Sequence, residues 1–184
     1  MTQDCLWMSE SYFKENSIVN ENTDWKIIQP IMIIAQDQQI RPILGTALFD
    51  EIADQIYNNT VTAANTTLLN LYLRKTIIYY VLSDLAPALK YRYHNKGIMV
   101  RNSENSQPAT LEEIQFEISR WKQKAELQAE FTTKYLVQNN TTFPLYYNGN
   151  SDYDDVFPNK TNFRSSLYLG GESGDDCKNP NYYS

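Results

Sequence analysis

Residues 67–94, TLLNLYLRKTIIYYVLSDLAPALKYRYH, decide the fold. A stretch of this length makes about seven to eight helical turns. Leu71, Ile78, Leu82, Leu85, Leu89 and Tyr93 step by three, four or seven, so they share one helical face. A second row, Leu69, Leu73, Ile77 and Val81, widens that face and predicts neighbours on more than one side. Arg74, Lys75, Ser83, Asp84 and Lys90 leave a narrower solvated strip. Pro87 removes one backbone donor inside the pattern and should bend the helix rather than end it. The stretch reads as the central helix of an all-α core, and nothing on it looks like chemistry.

Upstream, Asn22-Thr23-Asp24 offers N-cap residues, and Trp25, Ile28, Ile31/Met32 and Ala35 predict a helix over about 24–39. Pro30 either bends its second turn or marks a later start. Arg41-Pro42 should close it, because the residue before a proline is pushed out of the helical region. Gly45 then suits a left-handed corner and Thr46 an N-cap. A short helix over 47–57 carries Leu48, Ile52 and Ile56 on one face, with Asp50 and Glu51 in its first turn. Residues 58–66 read as a polar loop. Leu6, Trp7, Met8, Tyr12 and Phe13 make residues 1–20 a docking arm or short helix rather than a free tail.

Downstream, Asn95-Lys96-Gly97 reads as a helix C-cap. Ile98-Met99-Val100-Arg101 is β-prone and residues 102–107 are polar, which predicts a small hairpin or extended loop projecting between two helices. Thr110 and Glu113 form a capping box. Beyond it Leu111, Ile114, Ile118, Trp121, Ala125, Ala129, Thr132 and Leu136 carry an amphipathic helix to about 138. From 139 the composition shifts. Residues 141–184 hold three basic against six acidic residues and few aliphatics, too little to build a core of their own. Aromatics nevertheless recur: Phe143, Pro144, Leu145, Tyr146 and Tyr147 in one run, then Tyr153, Phe157, Phe163 and Tyr168. Such a segment orders by lying on another surface, for example as a strand added to a partner's sheet edge; plain disorder is the other reading. The organisation is therefore an arm (1–20), a helical domain (21–140) and an extended acidic, tyrosine-rich tail (141–184). The fold class is all-α: a small helical bundle around one long bent helix, with a β-prone projecting loop.

The net charge of −6 and pI near 4.8 argue against holding nucleic acid through a basic face. No apolar run is long enough for a membrane span, and MTQDCLWMSE lacks a signal peptide's regions, so the product should stay where it is made. Cys5 and Cys177 form no CxxC-type pair and read as free thiols. Fourteen tyrosines tilt the chain toward life in contact with other proteins. Catalytic signals are missing. His94 is the single histidine and reads as a helix C-terminal residue, and neither cysteine has an activating neighbour. The acidic cluster Asp152, Asp154 and Asp155 lacks the glycine and closing glutamate of a calcium loop. Gly170-Gly171-Glu172-Ser173-Gly174 has no phosphate-loop context. No enzyme, cofactor or metal is expected.

The residues Ala35-Gln36, Ile40-Arg41-Pro42-Ile43-Leu44-Gly45, Leu48-Phe49 and Ile52, followed by Asn95-Lys96-Gly97-Ile98, resemble head–tail connector (adaptor) proteins of tailed bacteriophages, most closely those of crAss-like phages. The likeness covers residues 10–140. It implies a small helical bundle that forms a ring, typically of twelve copies, on the portal protein. Such a ring extends the DNA channel, with genomic DNA only as passing cargo, and docks the next tail or ring component. It further implies a place in the virion after synthesis in the bacterial cytoplasm. By that likeness the contacts between subunits and with the portal would map to Lys96, Gly97, Ile98, Met99, Val100 and Arg101, and to the residues after Phe143. The reading from a different class is a small intracellular helical adaptor or regulator whose tail captures a protein partner.

Overall fold

A computed structural model describes residues 5–94, 97–100, 109–147 and 156–158. Apart from one two-stranded hairpin, the described chain is helical: α1 (Glu10–Glu15), α2 (Trp25–Ala35), α3 (Arg41–Leu44), α4 (Thr46–Tyr57), α5 (Ala63–Leu68), α6 (Arg74–Lys90) and α7 (Leu111–Gln138). The all-α bundle around a long central helix is thus what the chain forms.

The central helical run starts earlier and stops sooner than its hydrophobic pattern suggests. Thr62 caps α5 by accepting from the Asn65 N–H at 3.3 Å, so residues 63–66 belong to the helix and not to a loop. The buried Asn65 in turn donates from Nδ2 to Gln55 Oε1 at 2.8 Å, tying α5 to α4. Between α5 and α6 the run passes through a π-helical turn, Leu69–Leu73. A π turn inserts one residue into the helical count and shifts the phase of everything after it. That is why Leu71, seven residues before the buried Ile78, turns to solvent with 52 % exposure. The row Leu69, Leu73, Ile77 and Val81 lies deepest, and Ile78, Leu82 and Leu85 flank it. Ser83, expected on the solvated strip, is buried, its hydroxyl donating to the Tyr80 carbonyl at 2.7 Å. α6 continues through Pro87 and ends at Lys90; Tyr91–His94 is strand, because it finds a backbone partner in Gly97–Val100. His94 is therefore a strand residue, and Gly97 faces it across the hairpin rather than capping a helix.

On the N-terminal side Asp24 caps α2, accepting from the Lys26 N–H at 3.0 Å, and Pro30 lies inside the helix. Arg41-Pro42 does not close it. A second π turn, Gln36–Ile40, leads into α3, whose first turn has no intrahelical use for the missing proline N–H. The chain breaks only at Gly45, with φ +77°. Gly45 is then the N-cap of α4 and Thr46 its first residue, so Asp50 and Glu51 fall beyond the first turn. They serve the tertiary structure: Asp50 meets Arg41 at 3.4 Å and Glu51 accepts from Gln55 at 2.7 Å.

α7 packs along α6 as the largest helix–helix contact. Its capping box is complete: Thr110 Oγ1 accepts from the Glu113 N–H, and Glu113 accepts from the Thr110 N–H at 2.7 Å. Ile114, Trp121, Ala125, Thr132 and Leu136 are buried as their spacing predicts, whereas Leu111 at the first turn is exposed.

Residues 5–15 complete the core. Trp7 and Phe13 are fully buried, and Trp7 packs on Phe49 with ring centroids 4.8 Å apart. The buried Gln36 side chain acts as a backbone partner for this arm, accepting from Trp7 N–H at 3.1 Å and donating to the Cys5 carbonyl at 2.9 Å. Arg74 donates to the Trp7 carbonyl at 3.1 Å and lies over the Tyr12 ring. Cys5 is a free cysteine whose thiol is pushed up by burial.

Candidate functional site

The contact positions read from the sequence fall into three groups. The first is the hairpin. Tyr91–His94 and Gly97–Val100 pair antiparallel in the register Tyr91↔Val100, Arg92↔Met99, Tyr93↔Ile98 and His94↔Gly97. Gly97, Ile98, Met99 and Val100 therefore form one strand between the two longest helical segments, and Met99 is 51 % exposed. Lys96 and Arg101 lie outside the described residues. Lys90, at the root of the hairpin, donates to the Ala109 carbonyl at 2.6 Å and holds the two helix ends together.

The second group corrects the expectation of a partner-facing tail beginning at 141. Phe143 and Tyr146 are buried in the core of their own chain, at 2 % and 1 % exposure. After α7 the chain turns back at Asn139, whose carbonyl accepts from both Thr142 and Phe143 N–H, and a 3₁₀ turn, Pro144–Tyr146, follows. Phe143 meets the edge of Tyr135 at 5.9 Å, and Tyr135 stacks on Tyr72 at 4.4 Å. These two aromatics do not show a helical or strand period, so no sequence pattern marks them as core; yet a large ring beside the end of an amphipathic helix is buried wherever a gap is offered. Burial, reinforced by the neighbouring Tyr147, pushes the Tyr146 phenol up to about 12. Leu145 and Tyr147 are half-buried and Pro144 is exposed.

The third group is the tail proper. Tyr153, Phe163 and Tyr168 lie outside the described residues, as does the acidic run before Val156. Val156–Pro158 is described, and it lies on the corner between α3 and α4. Thr46 N–H donates to the Val156 carbonyl at 3.0 Å, and Val156 N–H donates to Thr46 Oγ1 at 3.0 Å. A Cβ placed on Gly45 would come within 2.7 Å of Pro158 Cδ and 3.1 Å of the Val156 carbonyl oxygen. Gly45 thus has two reasons to lack a side chain, its positive φ and the tail segment Val156–Pro158 lying over it. Between the two clipped residues Phe157 projects into solvent, 73 % exposed.

Among the described residues no cluster of three or more His, Cys, Asp or Glu could hold a metal ion. None of the described helices is long and apolar enough to cross a membrane. No curated protein and no solved structure matches the chain. One family model does, over residues 40–155, from the second π turn through the long helices and hairpin to the edge of the clip. That span exceeds half of the sequence, and on it the chain belongs to DUF6712, a family of unknown function.

Proposed function

We propose that this chain is a structural, non-enzymatic head–tail connector of a tailed bacteriophage. It would form a ring on the portal protein, extend the channel through which genomic DNA passes, and dock the next tail or ring component at the portal–tail junction of the virion. The observation that carries the reading is the hairpin. The hairpin joins α6 to α7, and its second strand carries Met99, 51 % exposed, which offers a neighbouring subunit an apolar contact. The head–tail-connector resemblance at Arg41-Pro42-Ile43-Leu44-Gly45 and Gly97-Ile98 points the same way, and both lie in the family span. A ring closes when one surface of a subunit meets a different surface of the next. The acidic balance suits a channel wall that makes few phosphate contacts and lets DNA slide.

Light scattering of the full chain, alone and with a candidate portal protein, tests this. A closed multi-subunit particle in either condition is the expected result, and Gly97→Val should reduce it more than it lowers the unfolding midpoint. A monomer indifferent to portal overturns the proposal in favour of a small adaptor.

A further inference from the structure

Four helices of this molecule start from a cap in their own sequence: Ser9 for α1, Asp24 for α2, Thr62 for α5 and Thr110 for α7. α3 and α6 run on from π turns. α4 has neither: its N-cap is Gly45, which has no side chain to offer. The first N–H groups of a helix lack intrahelical partners and need one from elsewhere. Thr46 N–H finds it 110 positions away, in the Val156 carbonyl at 3.0 Å, and Thr46 Oγ1 accepts the Val156 N–H at 3.0 Å in return. Pro158 lies over Gly45 beside them.

This long-range cap is held lightly. Val156 is 45 % and Phe157 73 % exposed, so the segment buries little apolar area and water competes for both hydrogen bonds. Elements held by a few exposed contacts open at low free energy while the core stays closed. What the segment covers is nevertheless the start of a core helix. Phe49 N–H donates to the Gly45 carbonyl at 3.1 Å, and the Phe49 ring lies between Trp7 and the Arg41 guanidinium, 4.3 Å from its centroid.

We infer that Val156–Pro158 is a latch on the first turn of α4. Closed, it supplies the cap that Gly45 cannot; open, it frees the tail and lets that turn fray. The two states differ by the contacts of three residues with Gly45 and Thr46, so the latch opens without unfolding the bundle. A partner that seats these three residues elsewhere has to find the latch open, and its apparent affinity is lowered by the open fraction. Linkage makes the effect reciprocal: whatever takes the tail loosens the start of α4, and whatever steadies that turn retains the tail. The inference is independent of the connector reading, since it concerns a single copy of the chain.

The test is amide hydrogen exchange of the full chain, followed by nuclear magnetic resonance in water and in low urea. In the wild type the Thr46 and Phe49 amides are expected to be protected, yet to open more readily than the buried amides of α6. Their opening should respond weakly to urea, because it exposes little surface. Thr46→Val removes the acceptor of the Val156 N–H, and Pro158→Ala removes the ring over Gly45 without altering α4. Each should lower the protection of both amides by about twofold to tenfold, the scale of one exposed contact, and Thr46→Ser should keep it. A Thr46 amide that is unprotected in the wild type, or that exchanges only together with the α6 core, overturns the latch. So does a response to Thr46→Val alone, which would place the effect in residue 46 itself, or a Phe49 amide that neither variant moves.

Discussion

Phe143→Ala should lower the stability of the whole bundle, although the residue lies beyond the last long helix. Phe143 is 2 % exposed, its ring meets Tyr135, and Tyr135 stacks on Tyr72 beside the π turn of the central run. Truncating a buried phenylalanine to alanine costs about 3–5 kcal/mol, the sum of lost transfer energy and the cavity left behind. Against a total of about 5–15 kcal/mol for an ordinary domain this is a large fraction. Urea unfolding followed by far-ultraviolet circular dichroism reads it directly. With a slope of about 1–3 kcal/mol per molar urea, the midpoint should fall by roughly 2 M. A pair of truncations sharpens the result: ending the chain after Tyr147 keeps Phe143 and Tyr146, whereas ending it after Asn140 removes both. The first should unfold cooperatively near the wild-type midpoint; among the described residues it loses the Pro158 packing on Gly45 and the two Thr46 hydrogen bonds, each worth about 0.5–1.5 kcal/mol before the loop ordering they require. The second should unfold much earlier or without cooperativity. Equal midpoints for the two truncations, or a Phe143→Ala midpoint unchanged from wild type, would refute the placement of this turn in the core.

Gln36→Leu should cost about 1–3 kcal/mol in the same assay, because it strands the Trp7 N–H and the Cys5 carbonyl that the amide now serves; protease cleavage within the first twenty residues should rise in parallel. Stability should also fall in alkali. The Tyr146 phenol is raised from about 10 to about 12 on folding, so the stability it contributes is complete below pH 10 and is lost as the pH rises toward 12. The loss is on the order of 2 kcal/mol at the upper end, and Tyr146→Phe should remove that part of the slope between pH 10 and 12. Parallel slopes for the two proteins would show that the phenol is not desolvated by folding.

Much of this molecule is written in local sequence. The capping box at Thr110 and Glu113, the Asp24 cap, the corner at Gly45 and the core face of α7 each depend on residues within a few positions of one another, and each formed as its pattern predicts. The hairpin is local in the same sense, since its strands are neighbours in the chain. Two of the misreadings share a cause. Leu71 is exposed because a π turn moved the helical phase, and nothing in the periodicity announces an inserted residue. Arg41-Pro42 failed to stop a helix because a π turn let α3 restart around the proline.

The sequence by itself determined where helices can begin, which faces they bury and where the chain must reverse, since caps, glycines and 3.6-residue spacing act over one or two turns. Only the tertiary structure decided that Gln36 would serve the backbone of residues 5–7, that Phe143 and Tyr146 would fill the gap beside α7, and that Val156 would pair with Thr46 across 110 positions of chain. Those contacts depend on shapes that exist only once the helices have packed, and no short-range pattern can encode a shape made by distant parts of the chain.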